Sequence, residues 1–346
     1  MEGDVRALDV STGDTKCTYI LESEDADRRA IYGKPAVAGD RLFIGAYDGM
    51  MYALPMGCEG SWEDGDEDWK QSVGDSRPPE PIVGSPVLVP ENDLVLIGSS
   101  DGNLYALDEE EGFELWRFPT GNKIWSTPTI QNGVAFFGSL DHSVYAVTVS
   151  RESGKLLWRF PVGGGVSATP VVADGRVYIG AFDSVFYAID AQSGEEVWRF
   201  NGSRKWFWGA AVTNEGTVYV PSLDGTLYAL DAADGKLRWQ LNTDEPIIGS
   251  PVIIGEWIII GPSDGRIRAV KTTDPETEKQ CNIRETLRSS LTASQDGVVY
   301  FGATDHSVRA IRVLEHSRKP NGSFDEEWVH FSNQDPPLSV GRIPDC

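Results

Sequence analysis

The sequence predicts an all-β protein: a β-propeller of four-stranded antiparallel blades, eight in number with one incomplete, or alternatively seven. Three observations predict it. A motif of the type "IGSSDGNLYALD" (97–108) returns as "IGAFDSVFYAID" (179–190), "VPSLDGTLYALD" (220–231) and "IGPSDGRIRAVK" (260–271). Its aspartates stand at Asp48, Asp101, Asp141, Asp183, Asp224, Asp264 and Asp305, and after a first interval of 53 residues the spacings are 40, 42, 41, 40 and 41. A period of that size belongs to propeller repeats. Finally, the apolar residues alternate in short runs between Gly/Asp turns, and no stretch carries a convincing helical periodicity.

Each repeat resolves into four strands. The first follows a Ser/Thr-Pro pair, as at Ser85-Pro86, Thr127-Pro128, Thr169-Pro170 and Ser250-Pro251. A Val/Ile/Tyr-rich second strand runs into the Asp turn, where a following Gly in four repeats supplies the backbone freedom a tight hairpin needs. The third strand reads xLYALD, and the fourth carries a tryptophan: Trp69, Trp116, Trp158, Trp198, Trp239 and Trp328. A wide ring at a fixed station fills the seam between neighbouring blades. Cys17 falls on that station and Cys281 near it, and both are expected to pack there as small buried residues. The four cysteines (with Cys58 and Cys346) permit two disulfides without requiring any, and a Cys17–Cys281 bridge is not expected across different blades.

The segment "EGDVRALDVSTGDTKC" aligns with "DGTLYALDAADGKLRW", so the chain opens in the third strand of a blade. A single domain, 1–346, is expected, with a half repeat at 2–20. Seven repeats follow at about 31–80, 81–121, 122–162, 163–203, 204–243, 244–285 and 286–331, and the 332–346 tail provides closure. From the half repeat, natural sequence upstream of Met1 is an expectation that the sequence itself leaves open.

The chain holds 53 acidic against 30 basic side chains, a net charge of -23. Such a balance lacks the basic footprint that nucleic acid or an anionic membrane requires. No run is apolar enough to span a bilayer, and no signal peptide is visible. A monomer is expected.

The repeated Ser/Thr-Pro, Gly-Ser-x-Asp-Gly-x-Leu-Tyr-Ala-Leu-Asp and Gly…Trp pattern resembles the pyrroloquinoline-quinone (PQQ) type repeat family. Its catalytic members are quinoprotein alcohol dehydrogenases, which resemblance associates with a vicinal disulfide, capping insertions and a calcium site. No Cys-Cys pair and no long cap stand in this sequence, so PQQ binding is not expected. The chain is closer in character to noncatalytic members such as the lipoproteins of outer-membrane β-barrel assembly. The resemblance implies a location in the cell envelope and a scaffold for protein or peptide partners. A quinone-dependent oxidoreductase, or a sensor or structural module of a larger polypeptide, is the alternative.

His142, His306, His316 and His330 have no shared partner, and the turn aspartates read as a turn requirement. In the acidic insertion "CEGSWEDGDEDWKQS" (58–72), Asp64, Asp66 and Asp68 alternate as calcium ligands would, but no later Glu closes the shell. The remaining candidate is "GSRKWFWGAAV" (202–212). Alignment on the proline station places Trp208 beside Tyr32, Val83, Trp125, Ser167, Ile248 and Ser289 of the other repeats, on the link that enters the innermost strand. Trp125, Trp206 and Trp208, with Arg204, Lys205, Lys123, Tyr32 and Lys34, are therefore the candidate partner-binding residues at the mouth of the central channel. The competing reading is a channel plug of packed rings.

Overall fold

The computed structural model describes residues 4–21, 28, 30–57, 67–305 and 307–312, and the backbone of 325–331. It is a β-propeller whose described residues form seven four-stranded sheets and one two-stranded sheet. The pair is Asp4–Leu8 with Thr15–Ile20. The blades then run from Ala36–Ala38 to Trp69–Ser72, Val87–Val89 to Glu114–Pro119, Thr129–Gln131 to Gly154–Pro161, and Val171–Ala173 to Glu196–Phe200. Val212–Asn214 to Leu237–Asn242, Val252–Ile254 to Asp274–Asn282 and Thr292–Ala293 to Asp325–Phe331 complete them. In every blade the strands lie in sequence order, the meander that short hairpin turns impose. Seven complete blades match the alternative count. The eighth, closed by both termini, would need the 332–346 tail, which lies outside the described residues.

The chain divides into two compact units, described separately below. The first holds residues 15–183 and 187–197 with the first strand to Ala7, and the second holds 8–14, 184–186 and 198 onward. In the first, Val5 and Tyr19 of the half repeat and the following Leu21 pack with Ile44, Tyr52 and Leu54 of the first blade. In the second, Leu8 packs beside Val298, Tyr300 and Ala310 of the seventh. Among the described residues no helix is long and apolar enough to cross a membrane.

The apolar core is a series of seams between consecutive blades. One cluster joins Val89, Leu94, Leu96 and Trp116 of the second blade to Ala135, Phe137 and Tyr145 of the third. Another joins Tyr219, Leu227 and Ala229 of the fifth to Ile258, Ile260 and Val270 of the sixth. In the first five blades the tryptophan station fastens the seam to the next blade. The indole Nε1 donates to a backbone carbonyl in the next blade: Trp69 to Glu109 (3.2 Å), Trp116 to Ser150 (2.9 Å), Trp158 to Ala191 (3.0 Å), Trp198 to Ala232 (3.0 Å) and Trp239 to Thr272 (3.2 Å). In the first four of these seams a glycine of that same turn lies under the ring: Gly112 under Trp69, Gly154 under Trp116, Gly194 under Trp158 and Gly235 under Trp198. A Cβ on Gly194 would sit 2.6 Å from Trp158, and one on Gly235 2.6 Å from Trp198. In the second, third and fifth blades a bulge immediately precedes the tryptophan. Bulges re-aim side chains locally, and here the re-aimed group is the seam-filling ring.

Two sequence expectations need correction here. In the sixth blade Ala269 pairs with Lys279, where Ala106 pairs with Trp116 and Ala229 with Trp239. Lys279 therefore takes the tryptophan's place, and its ammonium sits 4.5 Å from the ring centroid of Trp257. Cys281 lies two residues further along. Nor are the cysteines free packing residues: Cys17 and Cys281, 3% and 0% exposed, are disulfide-bonded. Cys58 and Cys346 lie outside the described residues.

The seam makes a differential prediction. Gly194 and Gly133 have nearly the same backbone angle, φ +73 and +72, but a Cβ on Gly133 meets nothing within 4 Å. Gly133→Ala should cost only the left-handed backbone strain, about 1–2 kcal/mol. Gly194→Ala adds overpacking against the indole, roughly 1–3 kcal/mol more. Denaturant unfolding of the two variants in parallel checks the difference, and equal losses would deny the ring its fastening role.

Candidate functional site

The links between blades are built on an alternating pattern. In the fifth repeat the Trp206 carbonyl accepts a hydrogen bond from Leu223 N (3.1 Å), and in the third the Lys123 carbonyl accepts from Leu140 N (2.9 Å). These bonds pin each link against the Asp turn of its own blade. The next side chain enters the core: Phe207 and Ile124 are fully buried, and Phe207 meets Phe186 edge-on at 5.6 Å. The following one comes out again. Trp206 is 49% exposed, Trp208 39% and Tyr32 54%, whereas Trp125 is half-buried. Of the three rings in "WFW", the middle one is core and its two neighbours face outward.

The turn aspartates hold these links as well as their turns, a role that the sequence reading missed. Asp224 Oδ1 accepts from Thr226 N (2.9 Å), the expected Asx-type bond. Its Oδ2 accepts from the Tyr228 hydroxyl (2.7 Å), Ser203 Oγ (3.2 Å) and the backbone N–H of Arg204 (2.9 Å). Gly121 N donates the equivalent bond to Asp141 Oδ2 (2.9 Å), and Gly163 N to Asp183 Oδ2 (2.7 Å). Burial pushes the Asp224 carboxyl up, but the bonds from Arg204 N, Tyr228 and Thr226 outweigh it and hold the group below its ordinary value. Burial and the bond to Asp224 push the Tyr228 phenol up to about 12. A tyrosine four residues after the aspartate was visible as the repeated "DGxLY", and that was the available signal.

The candidate residues fall into separate groups. In the first unit Lys123 Nζ stands 5.9 Å from the Trp125 ring centroid, and Trp125 Nε1 donates to Ser100 Oγ (3.1 Å). On an earlier link Tyr32 meets Tyr47 edge-on at 5.5 Å, and Lys34 N donates to Ser85 Oγ (2.7 Å). Desolvation lowers the pKa of the Lys34 ammonium. In the second unit Arg204 and Lys205 are exposed beside Trp206. The seventh repeat needs re-registration. Thr304 N donates to the Thr286 carbonyl as Leu223 N does to Trp206, so Arg288, not Ser289, stands at the Trp208 station.

Other sequence candidates find different uses. Asp64 and Asp66 lie outside the described residues, and Asp68 Oδ2 is 3.4 Å from Arg41 Nε. No group of three or more His, Cys, Asp or Glu side chains poised for a metal exists among the described residues. His142 occupies a left-handed turn position, φ 67. His306, His316 and the side chain of His330 lie outside the described residues.

Comparison with known proteins places this geometry. A family model described as "Outer membrane protein assembly factor BamB" matches residues 61–151, 146–203 and 181–318. The crystal structure of BamB from Moraxella catarrhalis superposes with a TM-score of 0.69 at 19% identity, covering 91% of this chain and 98% of that one. The computationally designed Ika8 protein superposes at 0.68 with 17% identity, covering 82% and 84% respectively. These two likenesses show the fold. Among curated proteins, the beta-alanine-activating enzyme of Danio rerio is 38% identical over 58 residues, 17% of this chain. The match spans only 5% of that enzyme's length.

The Asp224 carboxylate makes a pH prediction. Its native pKa lies below the unfolded value of about 3.9, so its stabilising effect is fully present above that value. It is lost as pH falls through the lowered native value. The stability gap between wild type and Asp224→Asn should be constant above about pH 5 and shrink below about pH 4. Urea unfolding across that range measures it, and a gap that widens in acid would reverse the assignment.

Proposed function

The chain belongs to the PQQ-type repeat family described as outer membrane protein assembly factor BamB, and from that membership we propose a noncatalytic scaffold that binds a protein or peptide partner through the aromatic links of its blades. The observation that carries the reading is the link Arg204–Trp208. Two indoles, 49% and 39% exposed, flank a fully buried Phe207 on backbone fastened by Asp224 and Leu223. A ring serving only to plug a channel gains most by complete burial. Large amphipathic rings held outward on fixed backbone are the usual anchors of a protein contact, because little side-chain freedom remains to be lost on binding. Trp125, stacked under Lys123, is a second anchor of the same kind on its own unit.

The reading requires neither bound quinone nor calcium, and it takes the chain to act as a monomer. Disulfide bonding at Cys17 and Cys281 supports an extracytoplasmic compartment, since structural disulfides form and persist in oxidising surroundings.

Trp208→Ala and Trp125→Ala test the proposal. Trp208→Ala should change unfolding stability by about 1 kcal/mol or less, as at other surface positions, and Trp125→Ala somewhat more, because that ring is half-buried and bonded to Ser100 Oγ. Each should weaken partner binding by about 2 kcal/mol or more, as loss of an anchor does. Denaturant unfolding and quantitative co-purification from the native host give the two readouts. A stability loss of roughly 3–5 kcal/mol with an unchanged partner profile would make these rings core and remove the proposal.

A further inference from the structure

The scaffold reading leaves the chemistry of the partner open, and the arginines of the second unit narrow it. Nearly every described arginine is engaged. Arg41 pairs with Asp68, Arg117 with Asp75 and Glu114, Arg151 with Asp108, and Arg238 with Asp231. Arg268 pairs with Asp264, Arg309 with Asp305 and Arg312 with Asp296. Such pairing is what a chain of net charge -23 makes easy. Arg204 and Arg288 break the pattern. Both are exposed, and among the described residues theirs are the guanidinium groups with neither a hydrogen bond nor an ion pair.

These two arginines mark the ends of one strip. Trp208, Ile248 and Arg288 hold the same station on three successive links, each just after a buried residue: Phe207 and Ile247 at 0% exposure and Leu287 at 0%. The three links are in direct backbone contact. Ala210 N donates to Ser250 Oγ (3.0 Å) and Ser250 N to Ser290 Oγ (3.1 Å). A Cβ on Gly209 would lie 2.9 Å from the Ile248 carbonyl, so the first two links cannot be pried further together or filled. The strip therefore presents an indole, an aliphatic side chain and a guanidinium in order, with Arg204 and Lys205 at its aromatic end.

We propose that this strip receives an extended acidic segment of a partner protein, its apolar side chain lying on Trp208 and Ile248 and its carboxylates on Arg288 and Arg204. The proposal rests on the scaffold reading and adds the partner's chemistry to it. A guanidinium presents a planar fork that matches a carboxylate with two parallel hydrogen bonds. Asp244 and Glu245, both exposed on the middle link, oppose a uniformly negative occupant. They thereby provide a test of opposite sign.

The probe is a short fluorescein-labelled peptide alternating Leu and Phe with Asp and Glu, beside its counterpart with Asn and Gln at the acidic positions. Fluorescence anisotropy at low and high salt reads binding to the intact protein. The wild type should bind the acidic peptide more tightly than the neutral one, with the difference narrowing as salt rises. Arg288→Met and Arg204→Met should each weaken the acidic peptide about fivefold and leave the neutral one unchanged, while Glu245→Gln should tighten it. Denaturant unfolding should show both exposed-site variants folded as the wild type. Equal binding of the two peptides, no binding of the acidic one, or indifference to both arginine variants would overturn the proposal. If Trp208→Ala still lost the native partner in that case, the scaffold reading would survive. Indifference of that partner to Trp208→Ala would remove the scaffold reading itself.

Discussion

The indole laid on a glycine of the next blade is the contact on which the rest of this molecule depends. A four-stranded sheet cannot bury both faces alone, so each blade is stable only against neighbours. The tryptophan supplies that attachment twice, through ring area and through an N–H bonded to a carbonyl across the seam, as with Trp158 and Ala191. Burying a ring of about 200 Å² gives roughly 5 kcal/mol as an upper value. The glycine under it explains the strict turn after the third strand, since Gly194 combines φ +73 with a Cβ position already occupied by the indole. Strand, turn and period near 41 follow from repeating one fastening. Where the sixth blade lacks the tryptophan, Lys279 over Trp257 and a disulfide at Cys281 stand in its neighbourhood.

A second repeated group, the turn aspartate, connects this framework to the candidate site. One carboxylate shapes the hairpin, accepts from a tyrosine hydroxyl and fixes the link of its own blade, as Asp224 does with Thr226, Tyr228 and Arg204. The fastening arises from turn geometry already present in every repeat, so a link can carry exposed rings without a dedicated scaffold. In the sixth and seventh blades the tyrosine gives way to Arg268 and Arg309, 7% and 6% exposed, each bonded to its aspartate at 2.8 and 2.7 Å. Buried guanidinium groups need such partners. That requirement separates them from Arg204 and Arg288, which lie in water and can remain unpaired.

The blades were legible in the sequence because three stations recur: Ser/Thr-Pro, Asp turn and tryptophan. Each reports a local physical demand that residue type alone reveals. The inside–outside alternation of Trp206, Phe207 and Trp208 was legible in principle from the strand-like period of the link. Register was lost where the markers change. With Leu291 instead of proline at the hub, alignment slipped by one residue at Arg288, and with Lys279 instead of tryptophan at the seam, Cys281 marked the station only to within two residues. Disulfide formation was also hidden, since it depends on Cα separations in the folded chain rather than on spacing. The link-holding role of Asp224 escaped for the same reason: Arg204 is distant from it along the chain and adjacent only in the fold.

Site and charge balance then join in one argument about recognition. A protein with 53 acidic and 30 basic side chains repels acidic partners at long range, so an exposed unpaired arginine does little to steer them from afar. Within a Debye length of roughly 8–10 Å at ordinary salt, however, the local pair outweighs the distant background. Contact on Trp208 and Ile248 brings a segment into that range by burying apolar surface, which is indifferent to net charge. In the proposed contact only then do Arg204 and Arg288 act, selecting among apolar segments by the carboxylates beside them. Apolar area would supply most of the affinity and the arginines most of the discrimination, a division that keeps an acidic scaffold from holding every hydrophobic chain it meets.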